Sequence, residues 1–235
     1  MKNPKVCNSC GAENQSYQLT CTSCKSYLRE RIVNLDLWDL LGLMLHSPSE
    51  AFRLIINAEH KNFIFFILLF VSIKFTINSA FLFLYTHTID PALNNFFLNA
   101  LILFFALSVL LFLFSFAAKF IYFYGGWAVR MRDTFSVLTY SFVPHIYALA
   151  FLFVIELIVF GGIIFSRNPS PFLFKSTLAY TLAAFEALIV LWSVLLSFIG
   201  LTALLKNKLN AIISGLIFNL LIILLLIFSS TYLFN

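Results

Sequence analysis

The chain has 235 residues, of which 61% are hydrophobic, 18% aromatic and only 11% charged, with a formal net charge of +5. A soluble domain carries about 25% charged residues and disorder goes with low hydrophobicity, so the composition excludes both and reads as an integral membrane protein. Four cysteines are too few for a disulfide-stapled secreted scaffold of this length.

The front end, residues 1–33, is polar from its first residues and holds no apolar run of signal-peptide length, so no cleaved targeting segment is expected. All four cysteines lie here, at Cys7, Cys10, Cys21 and Cys24, as two Cys-x-x-Cys pairs. Each pair on a tight turn aims two thiolates at one ion, and four sulfurs suit tetrahedral Zn²⁺, although iron fits the same cage chemically. Gly11 permits the backbone turn that lets amides face the sulfurs. The linker 11–20 is short for many zinc sites but long enough for a small β-hairpin. Some 30 residues bury no useful core, so one structural zinc would supply most of the folding free energy. An unstructured tail or a redox pair leaves the doubled spacing unexplained. The stretches CNSCGAEN and CTSCKSYL resemble the short bacterial zinc ribbons found at the N-termini of many membrane proteins, with Lys25 standing where those carry a second glycine.

Residues 34–60 predict two amphipathic helices. Leu37, Leu40, Leu41, Met44 and Leu45 recur at helical spacing. Ser47, Pro48 and Glu50 read as a capping box opening a second helix, apolar through Phe52, Ile55 and Ile56. Such helices either lie in the membrane interface, with Trp38 at headgroup level, or pack on the soluble side of the membrane domain. The sequence leaves that choice open.

Five apolar runs follow, at 62–84, 98–123, 134–160, 177–203 and 211–234, each long enough to span a bilayer. Twelve basic residues fall on one side of these spans, against Arg167 and Lys175 on the other, with Lys74 inside a span. The positive-inside rule places the N-terminus in the cytoplasm, where thiols stay reduced, and the C-terminus outside. The expected fold is all-α: a five-helix transmembrane bundle (61–235), N-in and C-out, preceded by a cytoplasmic zinc ribbon (1–33) and interfacial amphipathic helices (34–60). The net charge is a topology signal, and no nucleic-acid partner is expected.

This arrangement resembles the Yip family, the Ypt/Rab-interacting membrane proteins, in its bacterial type with an N-terminal zinc ribbon. Three stretches carry the likeness: Pro48 to Phe52 before the first span, Tyr140 to Pro144 in the third, and Trp192 running to Gly200 and Leu201 in the fourth. The resemblance covers 47–235 and implies a cytosolic N-terminal part followed by five helices. Eukaryotic members are associated with vesicle traffic and Rab binding, a setting that a bacterial-type ribbon argues against. The implied location is the bacterial inner membrane.

Ionisable groups inside a membrane are costly and carry a functional hypothesis. Lys74 lies roughly 18 Å into span one from the inner side, and Glu186 roughly 14 Å into span four from the outer side. In a core of about 30 Å these depths nearly coincide, so the two are expected to pair. Asn78 shares the face of Lys74, and His145 sits at mid-depth beside Pro144. The cluster reads either as a structural ion pair fixing helix register or as a proton or ion pathway. Glu156, near the outer end of span three, is expected to snorkel. Pro144 predicts a kink, with the Tyr140 hydroxyl bonding close to it.

No metalloprotease, serine-hydrolase or phosphate-loop motif occurs, and no inverted repeat divides the five spans. A non-enzymatic protein is expected: a scaffold or adaptor whose ribbon docks an unknown cytoplasmic protein. The alternatives are a small transporter or channel using the polar cluster, or a membrane-shaping protein using 34–60. Membrane lipids are the other expected partner, and a homo-oligomer stays open.

Overall fold

The structure is a computed structural model that describes residues 2–87 and 89–234; every candidate site residue lies among them. Residues 2–36 hold two small hairpins. β1 (Lys5–Val6) pairs antiparallel with β2 (Glu13–Asn14), in register Lys5 to Asn14 and Val6 to Glu13. The second hairpin closes through an isolated bridge between Thr20 and Tyr27.

α1 (Leu37–His46) starts at Asp36, whose carboxylate accepts from the Trp38 and Asp39 amides at 2.8 and 3.1 Å. α2 (Pro48–Asn57) follows at once. Its predicted capping box does not form. Ser47 makes no side-chain cap bond, and its carbonyl instead accepts the Glu50 amide at 3.0 Å. Proline at the first helical position already supplies the starting φ. The apolar face of α2 turns inward, with Ala51, Phe52 and Ile55 fully buried. α1 differs: Leu40 and Met44 are buried, but Trp38 is 79% exposed.

Among the described residues, five helices are long and apolar enough to cross a membrane. They are α3 (Ile64–Thr86), α4 (Phe96–Tyr124), a broken third span over Met131–Ile163, α9 (Ser176–Leu205) and α10 (Lys208–Leu233). The third span contains α5 (Met131–Tyr140), α6 (Val143–Tyr147), a π turn at Ala148–Leu152, α7 (Phe153–Phe160) and a 3₁₀ turn at Gly161–Ile163. The short α8 (Pro171–Phe174) precedes α9. α4 leaves Leu101, Phe105, Phe112, Phe116 and Phe120 exposed along its length, and α10 does the same with Leu216, Leu220 and Ile227. In water this surface would drive aggregation, and in hydrocarbon it costs nothing, so the chain is a multi-pass membrane protein. α3 is the most enclosed span, with 67% of its apolar window buried.

Contacts group the chain into two compact units. The first comprises Met1–Phe65, Leu110–Ser141 and Leu196–Leu216. In it Gly200 is the close-approach point: a Cβ there would lie 2.6 Å from Val137 Cγ1 and 2.9 Å from Phe52 Cε1. The Tyr122 hydroxyl meets Ser214 Oγ at 2.7 Å. The second comprises Phe66–Val109, Phe142–Leu195 and Ile217–Asn235. There Ser79 and Ser229 share a buried hydrogen bond at 2.6 Å, and Asn99 donates to the Leu233 carbonyl at 2.8 Å.

Candidate functional site

The cysteine cluster is built from two matching turns. Gly11 donates its amide to the Cys7 carbonyl at 2.9 Å, and Lys25 donates to Cys21 at 3.1 Å. Both turn residues sit at positive φ, +72° for Gly11 and +62° for Lys25. Lys25 therefore occupies a left-handed conformation that glycine would adopt without strain. The two turns bring four thiols together, all within 4.8 Å of one another. The Cys7–Cys24 and Cys10–Cys21 sulfurs are each 3.6 Å apart. Metal–sulfur bonds of about 2.3 Å in a tetrahedron imply sulfurs about 3.8 Å apart, so the set fits one metal ion. Among the described residues it is the one group of three or more His, Cys, Asp or Glu side chains so placed.

Two residues that the spacing argument passes over hold this cage. Ser26 Oγ lies 3.2 Å from Cys7 Sγ and 3.0 Å from Cys24 Sγ. That hydroxyl, helped by the Ser9 and Cys10 amides, lowers the Cys7 thiol to about 5, which favours the metal-binding thiolate. Buried Asn14 joins the hairpins: Nδ2 donates to the Ala12 carbonyl at 2.8 Å and towards Cys21 Sγ at 3.5 Å, while Oδ1 accepts the Thr22 amide at 2.9 Å. The only sequence signal for either is a small polar residue close to a cysteine pair.

The cysteine hairpins are bound to the segment between α4 and α5. Asn3 is buried and exchanges hydrogen bonds with the Ala128 backbone, accepting its amide at 2.9 Å. Ser16 donates to the same carbonyl at 3.1 Å, and the Lys2 amide donates to Gly126 at 2.8 Å. Arg29 donates to Asn57 at 2.6 Å and to Tyr17 at 3.2 Å. The outer edges of both turns, Asn8, Ser9, Thr22 and Ser23, remain exposed.

Beside this lies a charge hub that sequence reasoning missed. Asp133 is buried and receives Arg130 at 2.7 Å, Lys61 at 3.3 Å and Arg132 at 3.8 Å. Lys61 also donates to the carbonyls of Ile55 and Ile56, satisfying the C-terminal end of α2. Burial pulls its ammonium down to about 8, against the opposing attraction of Asp133. A lone acid just after two arginines at the start of a span was the available signal.

In the second unit Lys74, fully buried on α3, meets Glu186 of α9 at 2.5 Å. Asn78 makes no part of that pair and lines the adjoining cavity. His145 is buried edge-on against Phe75, ring centres 5.1 Å apart, and its Nδ1 has no hydrogen-bond partner among the described residues. Glu156 departs from expectation: it is buried, and its Oε2 has no hydrogen-bond partner among the described residues. The π turn before it inserts one residue and shifts every later position by about 100°, carrying Glu156 off the face that a regular helix would give it. Glu156, Glu186, Asn78 and Tyr85 line a cavity of about 250 Å³ whose other walls are mostly apolar.

The remaining predicted positions are structural. Pro48 opens α2, and Pro144 lies in the first turn of α6, where the span restarts after its break. The Tyr140 hydroxyl donates to the Asn62 carbonyl at the mouth of the first span, away from the kink where it was expected. Trp192 stacks on Tyr147 at 5.8 Å, nearly parallel. Compared with protein-family models, with curated proteins and with solved structures, the chain matches none. Its function therefore rests on its own residues.

Proposed function

We propose that this is a non-catalytic scaffold of the bacterial inner membrane, N-in and C-out, whose zinc ribbon is a docking module for a cytoplasmic protein. The observation that carries this reading is the ribbon's double attachment. Its inner face is tied to the Ala128 backbone through Asn3 and Ser16 and to the end of α2 through Arg29, while both cysteine turns present their edges to solvent. A bound partner would be held at a fixed place on the membrane domain. A tetrathiolate cage with the Ser9 and Cys10 amides on the Cys7 sulfur and the Ser23 and Cys24 amides on the Cys21 sulfur suits structural zinc. The Yip-like stretches support the same assignment: Pro48 starts the helix that packs inward, and Tyr140 and Pro144 flank the break in span three.

Crosslinking full-length protein in native membranes tests the reading. Ser9→Arg with Ser23→Arg should lose the crosslinked partner while keeping metal; an unchanged adduct would contradict docking through the turns. The native thiols report topology, because all cysteines lie in the ribbon. After chelation, an impermeant thiol reagent should label inverted vesicles and spare intact cells.

A second reading has one observation in its favour, the cavity that holds unpartnered Glu156 beside Glu186. It is a transporter or channel through the cluster of Lys74, Asn78, His145 and Glu186. Proton or cation flux in proteoliposomes, lost in Glu156→Gln and Glu186→Gln, would establish it; no flux would leave the cavity a packing feature.

A further inference from the structure

Within the first unit, β1, the turn at 16–17, α2 and the last turn of α9 enclose a cavity of about 570 Å³. Lys5, Arg53 and Lys206 line it, Arg53 and Lys206 as solvent-exposed side chains and Lys5 as a half-buried one, with Tyr17, Asn57 and Thr202. None of the three cations has a carboxylate within ion-pair range among the described residues. The one acid on the wall is Asp133, already held by Lys61, Arg130 and Arg132. Arg29 is bonded to the carbonyls of Tyr17 and Asn57, and its buried Nε has no hydrogen-bond partner among the described residues. The ammonium of Lys5 is lowered by burial and then by repulsion from Arg29 and Lys206. Lys206 is also held at φ +55°, a left-handed conformation that a lysine adopts at a cost.

We propose that this cavity binds a phosphate oxyanion, carried by a lipid headgroup or free in solution. Several cations converging from separate elements match a tetrahedral group with more than one charged oxygen, whereas a single carboxylate would satisfy only one or two of them. Arg53 offers a fork, Lys5 and Lys206 offer point charges, and Thr202 and Asn57 add hydrogen-bonding groups. The cavity reaches the last turn of a spanning helix, the level at which headgroup phosphates lie. The site is independent of partner docking, since it uses the buried side of the ribbon.

The test uses full-length protein in a non-ionic detergent at fixed salt. Binding of dioctanoyl phosphatidic acid is compared with dioctanoylglycerol, which lacks only the phosphate. The phosphatidic acid should bind about tenfold more tightly or better, and Arg53→Gln with Lys206→Gln should remove most of that preference. Lys208→Gln, which changes a nearby cation outside the cavity, should leave it within about twofold. Metal content and helicity report folding; should the double variant fail them, Arg53→Gln alone makes the same comparison. Displacement by millimolar inorganic phosphate would support the site with a soluble ligand. Phosphatidic acid binding that inorganic phosphate does not displace would support it with a lipid ligand. Equal affinity for the two lipids, an unchanged preference in the variant, or an equal loss in Lys208→Gln would overturn it.

Discussion

Two residues show how finely the cysteine turns are set. Gly11 and Lys25 occupy the same position in successive turns, at φ +72° and +62°. Only glycine takes that conformation without a side-chain penalty, so Lys25→Gly should stabilise the ribbon by about 0.5–1 kcal/mol, after allowing for glycine's larger unfolded entropy. The rate of metal loss to a chelator measures it, and faster loss would contradict the strain argument. Asn14→Ala should act in the other direction, because it strips the Thr22 amide and the Ala12 carbonyl of a buried partner. Outer residues of this kind change metal affinity about 10- to 100-fold, which competition with a coloured chelator would read. The four-cysteine cluster was legible because its members are local in sequence. Asn14 and Ser26 were not, since their roles arise only when the two hairpins face each other.

Helices repeat the lesson at larger scale. Long apolar runs announce the spans, because no other structure satisfies the backbone in hydrocarbon. Depth arithmetic places Lys74 and Glu186 at one level, and the structure sets their charged atoms 2.5 Å apart. Glu186→Gln would strand a fully buried lysine and should cost about 3–5 kcal/mol, while Lys74→Met combined with Glu186→Gln should recover most of it. Thermal unfolding in detergent compares the three proteins; equal losses in single and double variants would contradict a mutual pair. Gly200→Ala should cost about 1–3 kcal/mol, since Val137 and Phe52 are themselves buried and cannot yield. Regular periodicity could not reveal the π turn at Ala148–Leu152, and the inward turn of Glu156 was lost with it.

At the scale of the whole molecule, the composition break near residue 60 hides a connection. The polar front end reads as a separate module, yet Asn3 and Ser16 tie it to the backbone at Ala128, and Lys61 joins α2 to Asp133. These contacts span up to 125 residues in sequence, beyond the reach of any local pattern. Lys61 gives them a pH signature. Its folded value of about 8 lies below its ordinary 10.5, so between these values the unfolded chain holds a proton that the folded chain has released. Stability from this group therefore rises with pH across that window, and Lys61→Met should lack the rise when unfolding is followed from pH 8 to 10. A metal-built ribbon fixed to a five-span membrane protein is tested by the metal content of the purified protein. One zinc per chain, absent when Cys7, Cys10, Cys21 and Cys24 are changed to serine, is the expected result. A metal-free protein with four freely reactive thiols would contradict it.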